Sequence, residues 1–318
     1  MSVIKGYKLL GELSAQNAGF CQWGFCEKSG REYFIKEFLT PVYPEDTSEL
    51  SAKVIERKRK VCDDFYSKKR EFYNALDCCR TGNNILIQDF FRSGTKYYIV
   101  TDKVESDGTD PAIIAQLPRE KKEAFIRAIL FSIAKLHKAG VVHADIKPDN
   151  ILLKKTNDGY YTAKIVDFDA GFLVGNTPTD VQGDFIYLSP EVYLKMNEED
   201  VELTEKIDIF ALGILFHQYW TGELPTFGSD YRYAFEAVLD GSNIYVSDDI
   251  PLAFRSQICR MLSKDPASRP SANEILDSFK ARDDTHTIPY SYTIRPDPVP
   301  PTSRLKKSPG FYTPNDLD

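Results

Sequence analysis

His143-Ala144-Asp145-Ile146-Lys147-Pro148-Asp149-Asn150-Ile151-Leu152-Leu153 is the stretch that decides how this chain folds and what chemistry it can carry. It sets a carboxylate, an ammonium and a carboxamide at fixed offsets, bounded by apolar residues that predict short buried strand. Phosphoryl transfer needs that set: a base for the attacking hydroxyl, a cation for the phosphate in transit, and an oxygen ligand for magnesium. Asp145 suits the first role, Lys147 the second and Asn150 the third. A lone His-x-Asp would carry little weight, but the longer string is rare by chance.

Around this stretch the chain reads as an ordinary globular protein. Its 318 residues are 42% hydrophobic and 27% charged, enough for a large single core or two lobes. A net charge of −7 argues against nucleic acid or an anionic membrane as a partner. The six cysteines and four histidines lack the paired spacing of a zinc site, so reduced, structural thiols are expected. No apolar run of about eighteen residues exists to span a membrane, and the N-terminus lacks a signal-peptide core. A cytoplasmic location follows as an expectation.

Hydrophobic periodicity predicts an α+β fold. Alternation over residues 7–37, with turns near Gly19, Gly24 and Ser29-Gly30, predicts three antiparallel strands. A helical stretch follows over 46–79, with Leu50, Val54, Val61, Phe65, Phe72, Tyr73 and Leu76 on its apolar stripe. Two more strands are expected at 85–91 and 96–104. From Pro118 the period becomes helical, with Phe125, Ile126, Ile129, Leu130, Ile133 and Leu136 on one face. Further helices are predicted at 190–197, 205–221, 231–240, 251–263 and 271–281. The segment 284–318, rich in Pro, Ser, Thr and Lys, predicts an extended or disordered tail. Val299-Pro300-Pro301 within it is a candidate docking peptide, with a plain solvated tail as the simpler alternative.

Three further motifs accompany the central stretch: Lys36 ending the strand Tyr33-Phe34-Ile35-Lys36, Val166-Asp167-Phe168-Asp169, and Ser189-Pro190-Glu191. Together with Asp-x-Lys-Pro-x-Asn they resemble the eukaryotic-like (Hanks-type) Ser/Thr protein kinases over residues 7–281. The resemblance implies a bilobal fold, with an N-terminal nucleotide-binding lobe over 1–104 and a catalytic and substrate lobe over 105–283. The small lobe would be a five-stranded antiparallel sheet with one helix, and the large lobe mainly helical. It implies an ATP- and magnesium-dependent transfer to protein hydroxyls, with Asp167 and Asn150 on the metal and Lys36 on the α- and β-phosphates. The helix glutamate that pairs with Lys36 would be Glu71, with Glu56 the alternative on the same helix. Leu13, Gly19 and Cys21 would cap the adenine, Leu152 would form the floor and Val166 the back. Thr101 would be a small gatekeeper, and the backbone of Asp102 and Val104 would pair the adenine edge. Asp208 would support the catalytic loop, and Glu191 and Arg269 would form a buried pair under the substrate platform.

The departures from the family pattern are specific. Of the three loop glycines only Gly19 remains, with Ser14 and Gln16 at the other positions. Phe34 stands where the family has Ala, and Asp169 where it has Gly. Ala144 replaces the arginine that receives an activation-loop phosphate, a non-RD variant, so activity should not depend on phosphorylation of Thr177 or Thr179. Asp184 replaces a threonine near Asp145, where its charge should raise a carboxylate pKa or attract a basic substrate. Two other functions remain open: a pseudokinase that holds nucleotide as a scaffold, and a kinase of a small molecule.

Overall fold

Alternating side chains in the first hundred residues build one twisted sheet. Strands β1 (Val3–Ile4), β2 (Tyr7–Leu9), β3 (Cys21–Lys28) and β4 (Arg31–Phe38) run in sequence, and after helix α1 (Ala52–Asp77) come β5 (Ile87–Ser93) and β6 (Lys96–Asp102). All neighbours pair antiparallel in the order β1-β2-β3-β4-β6-β5. The sheet has six strands where five were expected, because the two-residue β1 adds an edge too short to leave an alternating signal. This computed structural model describes residues 2–16, 21–45, 50–79, 83–85, 87–156, 161–178 and 181–283.

The two faces of the sheet bury different partners. Tyr7, Leu9, Cys26, Ile35, Phe91, Tyr98 and Val100 pack on the outer face. Cys21, Phe38, Tyr97 and Ile99 join the main core with Phe72, Tyr73 and Leu76 of α1. Because side chains alternate along β4, Phe34, Lys36 and Phe38 share the inner face while Ile35 faces out. That period of two is what turns Lys36 inward. Most of α1 is solvated, which fits its many charges; its buried residues are Cys62, Phe72, Tyr73 and Leu76.

The remainder is mainly helical. After α2 (Pro111–Ala115), a short element that left no periodic signal, α3 (Arg119–Lys138) buries all six of its predicted apolar positions. Strand β7 (Val141–Val142) leads into the central stretch, and β8 (Ile151–Lys155) pairs with β9 (Tyr161–Ile165). Strand β10 (Phe172–Leu173) returns to β7. The helices α4 (Pro190–Met196), α5 (Lys206–Thr221), α6 (Ala234–Leu239), α7 (Leu252–Met261) and α8 (Ala272–Asp283) follow within a few residues of their predicted places. Helix α5 is apolar all round and runs through the core, as such a helix must.

One core cluster extends from Cys21 to Phe279, and residues Met1–Ile288 form one compact unit. The second unit, Pro289–Asp318, and the predicted docking peptide in it lie outside the described residues. All six cysteines are free thiols, four of them buried. Among the described residues, no helix is long and apolar enough to cross a membrane.

Candidate active site

The central stretch forms a loop held from below by one carboxylate. Asp208, buried on α5, accepts the backbone N–H of His143 at 2.9 Å and that of Ala144 at 2.8 Å. His137 Nε2 donates to the same carboxylate at 2.9 Å. Burial would raise the Asp208 pKa, but His137, His143 and the backbone donors outweigh it and hold the group below the usual carboxylate range. These bonds fix a bend in which Ala144 takes a left-handed φ of 64°. Ala144 itself packs against the apolar cluster that contains Val142, Phe172 and Leu188, so an apolar contact occupies this position.

Above the bend the reactive groups converge. Asp145 Oδ2 accepts from Asn150 Nδ2 at 2.8 Å and lies 2.9 Å from Lys147 Nζ. The Asn150 amide also donates to the Asp145 carbonyl at 2.8 Å, which leaves its amide oxygen free of that pairing. Burial acts to lower the Lys147 pKa, yet Asp145, then Asp184 and Asp167, raise it above the ordinary value. His143 Nε2 donates to the Val166 carbonyl at 3.0 Å, tying the loop to the strand end that carries Asp167.

Asp167 also has a left-handed φ, 60°, and Oδ1 lies 2.7 Å from Lys36 Nζ. Its pKa is pushed up by burial and by Asp145, and pulled down further by Lys36, so the net direction is down. Lys36 also meets Asp169 Oδ2 at 2.8 Å. Burial disfavours the charged ammonium, but Asp169 and Asp167 together raise its pKa.

The expected Lys36–Glu71 pair is not what the structure shows. Glu71 is exposed on α1, and Asp167 and Asp169 contact the ammonium instead. Helical residues are spaced by about 100°, so two positions are about 200° apart on the wheel. The residue that faces the cleft is therefore Lys69, whose Nζ donates to the Asp169 carbonyl at 2.7 Å. Burial lowers the Lys69 pKa, partly offset by Asp169. Glu56, also on α1, is exposed as well. Lys69 could have been found by counting: Phe72, Tyr73 and Leu76, all buried, stand at i+3, i+4 and i+7 from it.

The sheet side of the cleft, where the resemblance would put the adenine, is aromatic. Phe34 stacks on Trp23 with ring centroids 5.6 Å apart, and Phe25 meets Phe34 edge-on at 5.9 Å. Trp23 Nε1 also donates to the Gln16 carbonyl at 2.8 Å, closing the start of the loop. Leu13 abuts Gly24, where a Cβ would lie 3.0 Å from Leu13 Cδ2. Cys21 turns its thiol toward Asp169, at 4.0 Å, and burial with that carboxylate pushes its pKa up to about 12. Thr101 lies opposite Phe34 in the sheet register, and Asp102 opposite Tyr33, its side chain bound to Arg31 at 2.8 Å. Val104 follows β6, half-buried. Leu152 lies between the buried Ile151 and Leu153 and so faces away from their core, as does Val166 after Ile165. Gly19 and Thr179 lie outside the described residues.

Below the site, Glu191 and Arg269 form a two-pronged buried pair at 2.5 and 2.9 Å. Arg269 Nε donates to the Ser263 carbonyl and Nη1 to that of Lys206, both at 2.9 Å. No donor on that guanidinium edge is wasted, which is the condition for a buried charge to be tolerated.

A fold of sheet and helices around these groups defines a phosphotransferase-like domain, and sequence comparison identifies which. The profile of the protein kinase domain matches residues 42–279, and the chain belongs to that family. It is 27% identical over 202 residues to a probable myosin light chain kinase of Dictyostelium discoideum, covering 61% of this chain and 64% of that protein. It is 31% identical over 184 residues to sperm motility kinase Z of Mus musculus, covering 56% and 35%. It is 28% identical over 269 residues to a calcium/calmodulin-dependent protein kinase type II of Caenorhabditis briggsae, covering 79% and 49%. The chain spans less than two thirds of the length of each of these relatives.

Proposed function

We propose that this chain is an ATP- and magnesium-dependent protein kinase that transfers the γ-phosphoryl group to Ser or Thr hydroxyls of protein substrates. The observation that carries this reading is a pair of carboxylates in one cleft, Asp145 and Asp167, each tethered to its own lysine. Asp145 receives the proton of the attacking hydroxyl, and Lys147 supplies positive charge to the phosphate as it moves. Lys36 contacts the α- and β-phosphates. The adenine lies between the roof (Leu13, Cys21 and Phe34) and Leu152, with its edge on the backbone of Asp102 and Val104.

The donor chemistry fits magnesium. Asp167 and the amide oxygen of Asn150 are hard oxygen ligands, and among the described residues no cluster of three His, Cys, Asp or Glu side chains competes as a resident-metal site. Asp167 and Asn150 would hold the ion, which would supply positive charge to the nucleotide phosphates.

A peptide acceptor is favoured by a groove of about 620 Å³ that runs from Gly183, Asp184, Phe185 and Ile186 to Leu224 and Tyr233. Phe185 and Ile186 are exposed in it, apolar surface suited to an extended chain. Asp184 in the same groove favours a basic residue near the acceptor. A nucleotide-holding scaffold is the second reading, because Asp169 beside Lys36 and the reduced set of loop glycines both depart from the family pattern.

The test incubates the protein with γ-labelled ATP and magnesium, in one arm with a basic protein substrate and in another with small-molecule acceptors. Phosphoserine or phosphothreonine in the protein arm is the expected result. Label only in small molecules, or magnesium-dependent ATP binding without transfer, would overturn the proposal.

A further inference from the structure

The charges around Lys36 have changed places. Helix α1 turns an ammonium, Lys69, toward the cleft, and the loop after Asp167 carries a carboxylate, Asp169, two residues on. Lys36 Nζ lies 2.7 Å from Asp167 and 2.8 Å from Asp169, while Lys69 Nζ binds the Asp169 backbone at 2.7 Å. The Lys69 ammonium also lies 5.8–5.9 Å from the ring centroids of Phe38, Phe72 and Tyr73. Two lysines and two carboxylates make a cluster with no net charge.

We propose that Asp169 is the positioning carboxylate of Lys36, and that Lys69 fastens Asp169 to helix α1. The loop that bears Asp167, rather than a helix glutamate, then aims the lysine that meets the nucleotide phosphates. This rests on the reading of Lys36 as a phosphate-contacting group.

The two departures make physical sense only together. With glycine at 169, Lys69 would keep its backbone carbonyl, but two ammoniums would face the single carboxylate of Asp167, which already contacts Lys36. With glutamate at 69, three carboxylates would crowd one lysine. Gly171 completes the junction, because a side chain there would run into the Phe72 ring on α1. The helix and the loop are thus joined by an apolar contact and a charge-assisted hydrogen bond one turn of helix apart.

The test is a charge-exchange cycle of Asp169→Gly, Lys69→Glu and the double variant, with Asp169→Asn as a version of similar shape. Affinity for a fluorescent ADP analogue, with and without magnesium, is read beside KM and kcat for ATP, and a thermal melt verifies folding. Each single substitution should weaken ADP binding roughly tenfold or more, the scale of one charged hydrogen bond. The double variant should recover most of that loss, because a glutamate at 69 can take over Lys36. Glu71→Ala should bind as the wild type does. Normal binding by Asp169→Gly and Asp169→Asn, or a double variant no better than the worse single one, would overturn the inference. A wild type that binds nucleotide but transfers nothing would defeat the kinase reading and leave the binding cycle to decide this one.

Discussion

The floor and the roof of the cleft have been built by different rules. On the floor, Asp145, Lys147 and Asn150 contact one another within six residues of chain, Asp208 holds the backbone beneath them, and the Glu191–Arg269 pair ties Lys206 at the start of the helix that carries Asp208. On the roof, Phe34, stacked on Trp23, and Asp169 stand where the family pattern has small residues, and Lys69 rather than a glutamate faces the cleft from α1. If the chain is the kinase proposed above, its chemistry belongs to a local hydrogen-bonded loop, while the roof differs from the family pattern with its charges balanced.

The comparison breaks first at Asp145. If the floor carries the chemistry, Asp145→Asn should lower kcat by about 10²- to 10⁴-fold, the usual worth of a general base, with folding intact by thermal melt. A smaller loss would move the proton transfer elsewhere. Next comes the buried pair: Arg269→Met leaves Glu191 charged and unpaired, and should cost about 3–5 kcal/mol in denaturant unfolding. The double variant Glu191→Met/Arg269→Met should recover part of it.

Asp208→Asn sharpens the account of the loop. Two backbone N–H groups lose a charged acceptor, so a stability loss of about 1.5–3 kcal/mol is expected. Its pH dependence gives a second handle. The folded-state pKa of Asp208 lies below its ordinary 3.8, so its contribution is complete above that value and lost as pH falls through the folded pKa. The acid limb of the stability curve should therefore be flatter in Asp208→Asn. The smallest effect belongs to Thr177→Ala. With Ala144 packed in an apolar cluster, phosphatase treatment or this substitution should leave the transfer rate unchanged. Loss of activity in either would expose a phosphate-receiving cation elsewhere.

Much of the floor was legible because its partners are neighbours in sequence, and the helices because their apolar faces repeat at 3.6 residues. Only family resemblance links Glu191 to Arg269, or Asp208 to the loop, from sequence; in the structure Arg269 donates to Glu191, and Asp208 accepts the N–H groups of His143 and Ala144. The roof was harder. Glu71 has the charge to pair with a lysine, but the helical phase set by Phe72, Tyr73 and Leu76 turns Lys69 inward instead. A carboxylate at 169 was visible as an oddity, yet its pairing with Lys36 depends on the fold bringing β4 against the loop, which no local spacing encodes. The edge strand β1 and the five-residue α2 were too short to show a period.

The division of labour between floor and roof is tested most directly by measuring kcat and KM for ATP in Asp145→Asn and Phe34→Ala side by side. The account predicts that the first loses kcat with little change in KM, and that the second changes KM while its saturated rate stays near the wild type. Loss of kcat in Phe34→Ala equal to that in Asp145→Asn would contradict it.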